Sequence, residues 1–417
     1  MKTYALFLTL ALAALPATAR HTIKQPTVKS LEVMVNYDWI AQPVLQLRSS
    51  DVMNISFDEL SHDVHRYIYW LEPCNPDWTP FEGLFESDWL EGFNKLPIED
   101  YEQSINTNVL YTHYSFQLPN DQCRMKLSGN YRLHVTDECC DNEEALVVEL
   151  RVVEPLMNVG IGVTTNTDVD FNNSHQQLSM TVKFNGVRVT NPAEQLQTFV
   201  MQNGREDNMR WQPKPTYTTA TSLSWEHSRE LIFEAGNEYH KFEVLDPSHT
   251  TMGLAFVTWD EAERRFHAVP VPCEPRRSYI YDEDADGAFL LRNSDNIEAA
   301  TTSEYVWVHY AIKPDRVYDH ARVFLDGRWA IDDSGDDNYT MAYDPETGTY
   351  QTKVLQKLGY YNYQILMADL DGTTHRMPEE GSFYQTENRY QALVYFKGTG
   401  ERAWRLVGYQ EKLFRTQ

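Results

Sequence analysis

The chain has 417 residues, with 61 acidic against 36 basic side chains and a formal net charge of -25 at pH 7. A charge of that sign repels nucleic acid and anionic lipid head groups at long range, which disfavours polyanion partners. With 42% hydrophobic and 23% charged residues the composition is that of a folded protein and not a disordered one, and the abundance of tyrosine favours β-structure.

The first residues set the compartment. Lys2 is followed by an apolar stretch from Tyr4 to Leu15, then Pro16 and the small-x-small site Ala17-Thr18-Ala19 before Arg20, the pattern of a secretory signal peptide. Its apolar core is too short for a bilayer of ~30 Å at ~1.5 Å per residue, and no cysteine follows the cleavage site as a lipoprotein requires. Residues 1–19 are expected to be removed, leaving a mature chain that works outside the cytoplasm. At ~150 residues per domain, that chain holds two to four domains.

From Ser30 to Glu154 short alternating strands follow one another: 31–35, 44–47, 53–57, 67–70, 112–118, 131–135 and 145–153. Turns of Gly, Pro, Asn and Asp separate them, and this spacing describes a β-sandwich. A Trp-rich insertion from Pro73 to Asn108 interrupts the series, longer than an ordinary hairpin connection and therefore a functional-loop candidate. A second unit, 156–275, carries strands at 178–184, 198–201, 231–233 and 241–245. The third, 276–417, shows a strand and Gly turn at Val323–Trp329, a hairpin at Asp344-Pro345-Glu346-Thr347-Gly348 and another at Asp369-Leu370-Asp371-Gly372. Periodicity is two nearly throughout, and no long amphipathic helix is visible. The expected fold is all-β, a tandem of sandwiches over 20–155, 156–275 and 276–417.

Several motifs carry a resemblance. The first unit contains Cys74 ahead of Asp77-Trp78, Trp89-Leu90-x-Gly92-Phe93, Asp100-Tyr101-x-x-Ser104-x-Asn106-Thr107 and Tyr111-Thr112-His113-Tyr114-x-Phe116. The second has His175-Gln176, Gln202-Asn203-Gly204-Arg205 and Phe233 leading to Gly236-Asn237-Glu238. The third has Gly359-Tyr360-Tyr361-Asn362-Tyr363 and Glu387-Asn388-x-Tyr390. Together they resemble the type IX secretion system plug proteins of Bacteroidota over nearly the whole mature chain, with one departure: His240 or Lys241 stands where the family usually shows Arg. The resemblance implies a periplasmic protein that closes the mouth of a large outer-membrane translocon β-barrel. The third unit also looks like an immunoglobulin-like early-set module, which implies a non-catalytic glycan-binding protein as the alternative.

Interfaces that occlude by binding favour Trp and Tyr anchors, so Trp78, Trp89, Phe93 and Tyr101 of the insertion are the candidate partner-binding residues. For the glycan alternative, Trp329, Tyr360, Tyr361 and Tyr363 are the rings to stack on a sugar. Asp282-x-Asp284-x-Asp286-Gly287 has the first half of a calcium loop, but Asn293 stands where the bidentate glutamate belongs. No cofactor is expected, with calcium at these three aspartates the one metal option. The cysteines offer no CxxC pair or interspersed histidines for zinc. Cys74 or Cys123 is expected to pair with Cys139 or Cys140, leaving Cys273 as a free thiol. No HExxH, GxSxG or phosphate loop is present, and no catalytic residue is nominated. His113 reads as a strand residue with a satisfied ring nitrogen.

Overall fold

A computed structural model describes residues 21–295, 297–331 and 339–416; the expected signal segment lies outside the described residues. The chain is all-β: half of it is strand and 5% helix, and each α-helix is a four-residue turn. Alternation decides the faces. In Met53–Glu59 the side chains of Met53, Ile55 and Phe57 are fully buried, and the intervening Asn54 and Ser56 are not.

The first sandwich packs two sheets. One joins Thr22–Ile23, Glu143–Val153, Gly129–Asp137, Tyr67–Cys74 and Leu96–Pro97, with Val44–Gln46 parallel to Glu143–Val153. The other orders Val28–Val35, Met53–Glu59, Thr112–Leu118 and Asp100–Gln103. The insertion is therefore no free loop, because it donates an edge strand to each sheet, Leu96–Pro97 to one and Asp100–Gln103 to the other.

The remaining strands depart from the expected division at 275. Leu196–Gln202 pairs with Asn388–Phe396 in the register Leu196↔Phe396 to Gln202↔Tyr390, and Arg405–Phe414 completes that sheet. The middle sandwich thus consists of strands from Asn158 to Glu234 plus the last two strands of the chain, around a core that includes Leu178, Val200, Trp225, Tyr390 and Val407. His240–Val244, expected in the second unit, pairs with Gly359–Asp369. The third sandwich is accordingly the stretch from His240 to Arg376, inserted into the middle one. Period-two patterning tells a strand which side to bury, not which distant strand to join.

Buried polar contacts join the sandwiches. Between the first and third, Lys357 Nζ meets Asp58 Oδ2 at 2.7 Å with both side chains at most 1% exposed. The ammonium also donates to the Ala300 carbonyl at 2.6 Å and lies 4.2 Å from the centre of the Tyr111 ring. The Tyr305 hydroxyl stands 2.7 Å from Asp58 Oδ2, and His113 Nδ1 lies 2.7 Å from Asp58 Oδ1, the satisfied ring nitrogen expected of it. Burial pushes the Asp58 carboxyl up, but Lys357 and His113 outweigh burial and hold it below the usual carboxylate value. Between the first and middle sandwiches, Arg151 pairs with Glu206, and the Tyr395 hydroxyl donates to Asn130 Oδ1 at 2.6 Å.

The five cysteines are all free thiols, contrary to the expected disulfide. Cys74 ends Tyr67–Cys74 opposite Asn130, whereas Cys139 sits beside Arg66 at the other end of the same strand. At ~3.4 Å per residue the strand holds those two sites roughly 20 Å or more apart, beyond any disulfide. Cys123 is buried in Cys123–Met125, opposite Gly92, and burial pushes its thiol up to about 12.

Two predictions follow from the joints. Lys357→Met leaves Asp58 buried without its cation and should cost about 3–5 kcal/mol in urea unfolding, with part recovered in the Asp58→Asn/Lys357→Met double variant; additive losses would contradict the pairing. The second concerns Glu149, buried near the joint between the first and middle sandwiches. Burial, then the Glu206 carboxylate, raises it to about 7, against the pull of Arg132 Nε at 3.0 Å. The folded chain keeps a proton that the unfolded chain releases near ~4.3. Glu149's contribution is therefore full below that pH and is lost as pH rises toward about 7, on the order of 2–3 kcal/mol. Glu149→Gln should flatten the stability profile over that window in urea titrations at stepped pH; an unchanged slope would refute the assignment.

Candidate partner-binding surface

The Trp-rich insertion is built from the inside out. Trp78, at φ 63°, turns its ring inward to 1% exposure, and the Arg151 guanidinium lies 5.0 Å from the ring centre. Asn130 Nδ2 donates to the Asn75 carbonyl at 3.3 Å and so ties the preceding turn to the sheet. Trp89 ends the short helix Glu86–Trp89 and is buried, its ring 5.8 Å from that of Tyr131. Leu90–Gly92 then pairs with Cys123–Met125. Gly92 is required there: its φ is +97°, and a Cβ would stand 1.9 Å from the Gln122 carbonyl oxygen.

That scaffold divides the four expected anchors. Trp78 and Trp89 are core, so neither reaches a partner. Phe93 is 68% exposed and Tyr101 46%. Phe85, which sequence reasoning passed over, is 75% exposed at the start of the helix. Asn94 fixes the segment carrying Phe93, donating to the Leu71 carbonyl at 3.0 Å and to Glu86 at 3.2 Å. Phe93 itself donates its backbone N–H to the Gln122 carbonyl at 2.8 Å. Tyr101 stands on the outer strand Asp100–Gln103, whose four residues are all exposed. Its flanking Asp100 and Glu102 charges discourage strand addition by another chain, leaving the aromatic side chain as the contact on offer. The signal for Phe85 lay in the same insertion, but a phenylalanine before Glu-Ser-Asp-Trp reads from sequence as ordinary core.

The other motif residues gather at the joints. Ser104, Thr107 and Asn108 shape a turn that docks on the third sandwich: Val109 N–H donates to Glu304 Oε1 at 3.0 Å, Asn108 Nδ2 to Glu304 Oε2 at 2.9 Å, and the Tyr111 hydroxyl to the Ser303 carbonyl at 2.9 Å. The motifs of the middle sandwich form one buried amide network. Asn388 Nδ2 donates to the Ala235 carbonyl at 2.8 Å and to Gln176 Oε1 at 3.1 Å, and Asn203 Nδ2 donates to Asn388 Oδ1 at 2.9 Å. Gln176 Nε2 reaches the Tyr384 and Thr386 carbonyls at 2.8 and 2.9 Å, and Asn237 Nδ2 the Glu380 carbonyl at 2.9 Å. These bonds hold both chain crossings between the middle and third sandwiches. The departure at 240–241 keeps cations in place: His240 lies 3.0 Å from Glu380 and Lys241 2.6 Å from Asp282.

Asp282, Asp284 and Asp286 do not converge. Asp282 faces Lys241, Asp284 accepts from the backbone N–H groups of Tyr239 and Asp286, and Asp286 Oδ2 accepts from Arg389 Nε at 3.1 Å. Burial and the Asp286 charge drive the Asp284 carboxyl far above its ordinary value. Trp329, Tyr361 and Tyr363 are buried in the third core, with Trp329 Nε1 donating to the Asn362 carbonyl at 2.7 Å. All three are less than a tenth exposed, so none presents an open ring face to solvent. Tyr360 is half-buried, edge-on to Trp39 at 5.7 Å.

Burial separates the two kinds of aromatic residue, and so should mutation. Trp78→Ala is expected to cost about 3–5 kcal/mol of unfolding free energy, whereas Phe85→Ala and Phe93→Ala should stay within about 0.5 kcal/mol of the parent. Thermal and urea unfolding of the three variants decides it; a large loss at Phe93 would make that residue part of the scaffold.

Residues 28–154 match the family model for the type 9 secretion system plug protein 1st domain. That span runs from the strand Val28–Val35 to the end of Glu143–Val153, the first sandwich with its whole insertion. A search of curated proteins gave no match. Among solved structures the chain is similar to a hypothetical protein from Parabacteroides merdae, determined as a crystal structure at 2.30 Å resolution, with 32% identity and a TM-score of 0.89 over 95% of this chain and 99% of that one. The likeness to that structure thus extends through all three sandwiches. On its first domain, this chain belongs to the type IX secretion system plug protein family.

Proposed function

We propose that the protein is a periplasmic plug that binds the large outer-membrane translocon β-barrel of type IX secretion and occludes its periplasmic opening. The observation that carries this reading is the family match over the first sandwich, whose insertion also presents Phe85, Phe93 and Tyr101 to solvent. A plug works by steric occlusion. It needs a body that keeps its shape and a face that excludes water on docking, and it needs no bond-breaking chemistry.

Both requirements have a physical counterpart. The buried Asp58–Lys357 pair and the Glu304 clasp resist separation of the first and third sandwiches, and the Asn388 amide network pins the chain where it leaves the middle sandwich and returns, because opening any of them exposes or orphans buried polar groups. The exposed rings supply amphipathic contact area on short side chains with few rotatable bonds. A charge of -25 over the whole chain favours a barrel mouth with a cationic rim and a faster encounter at low ionic strength.

The test is capture from solubilised envelopes. Tagged protein should recover the translocon barrel, and the Phe85→Ala/Phe93→Ala/Tyr101→Ala variant should bind it at least about tenfold more weakly, as expected when central aromatic anchors are removed. Deleting the protein should raise outer-membrane permeability to small dyes. Recovery of no barrel together with unchanged permeability would refute the proposal.

A further inference from the structure

At one end of the first sandwich three side chains of metal-ligand type meet. His65 lies in the turn that precedes Tyr67–Cys74, Asp137 closes Gly129–Asp137, and Cys140 closes the 3₁₀ turn Glu138–Cys140. The register Asp137↔Tyr67 brings the His65 turn beside the end of the neighbouring strand. Asp137 is the extended N-cap of that turn, and its carboxylate and the Cys140 sulfur come together beside it. Asp137 Oδ1 accepts the Cys139 N–H at 2.8 Å and thereby caps the turn, which leaves Oδ2 facing His65 Nδ1 at 2.6 Å.

One ligand atom from each of the three residues lies within 4.8 Å of the others, and among the described residues no other group of three or more His, Cys, Asp or Glu is drawn together in this way. A second observation points to the same spot. Tyr67, whose ring stacks on His65 at 6.0 Å, is fully buried, and its hydroxyl has no hydrogen-bond partner among the described residues. Tyr67 and Asp137 also stand opposite each other in the strand register. A buried hydroxyl beside a ligand cluster is the group that a metal-bound water would satisfy.

We infer that His65, Asp137 and Cys140 form a transition-metal site of the zinc class. One imidazole nitrogen, one carboxylate oxygen and one thiolate are the donors that divalent zinc accepts at about 2.0–2.3 Å, with a fourth tetrahedral position left for water. Calcium and magnesium take oxygen ligands and do not fit the set. Binding displaces the thiol proton of Cys140 to solvent, and the proton of the His65–Asp137 hydrogen bond leaves Nδ1 as well, to solvent from the imidazolium or to Nε2 by a change of tautomer in the neutral ring. The two anionic ligands then neutralise the dication, so the site adds no net charge to the fold. Cys139 is not a ligand, since its sulfur faces the Arg66 N–H at 3.5 Å. Sequence reading missed the site because His65 and Asp137 come from distant segments that only the strand register unites.

The experiment uses the mature, untagged chain, reduced and stripped of metal. Titration with cobalt(II) should give one equivalent of binding with a thiolate-to-cobalt charge-transfer band that zinc(II) abolishes by displacement. Cys140→Ser should remove the band, and both it and His65→Ala should weaken zinc binding in calorimetry by at least about tenfold. Cys139→Ser should leave both readouts unchanged, and circular dichroism checks that each variant is folded. The inference is overturned by the absence of saturable binding up to millimolar metal, or by a band that survives Cys140→Ser or depends on Cys139.

Discussion

The Asp58–Lys357 pair is the constraint on which the shape of the molecule rests. A carboxylate and an ammonium withdrawn from water bear a desolvation cost of several kcal/mol each, and their attraction offsets it only while geometry and further hydrogen bonds are right. Here the further partners come from three directions: Tyr305 and Ala300 from the third sandwich, His113 from the first. Any slide of one sandwich against the other separates the charges while both remain shielded from solvent. The interface therefore has one good arrangement and steeply worse neighbours, and this is how separate cores are held as one body.

The same logic explains where the family-like motifs lie. Asn203, Gln176, Asn237 and Asn388 are amides, each able to donate and accept, and together they satisfy backbone carbonyls exposed where the chain leaves the middle sandwich for the third and returns. Insertion of one sandwich into another creates such crossings, and unsatisfied carbonyls there would cost about 1–3 kcal/mol apiece. Side-chain amides near Gly204 and Gly236 are the local remedy. The motifs mark joints, and the exposed aromatic residues Phe85, Phe93 and Tyr101 lie elsewhere, in the insertion.

Much of this was legible in the residues alone. Alternation at Met53–Glu59 and the turn chemistry of Asp344–Gly348 identified strands and hairpins that the structure contains, and the all-β class followed. Three things were not. Strand partnership across the chain, Leu196 with Phe396 or His240 with Tyr363, depends on long-range register that period two does not encode. Burial of Trp78, Trp89 and Trp329 depends on the direction each ring takes from its turn, as the positive φ of Trp78 illustrates. The disulfide expectation failed because membership of one domain does not make cysteines neighbours, and an eight-residue strand separates Cys74 from Cys139. By contrast Phe93 and Tyr101 were chosen from composition and do reach the surface.

As proposed, the protein is a body locked by its buried joints that meets the barrel through the aromatic rim of its first sandwich. Site-specific photo-crosslinking tests this most directly, with the crosslinker placed in turn at Phe93 and at Leu370, an exposed hairpin residue of the third sandwich. The account predicts a crosslinked product with the translocon barrel from position 93 and none from position 370. Crosslinking from position 370 alone would place the docking face on the third sandwich and contradict it.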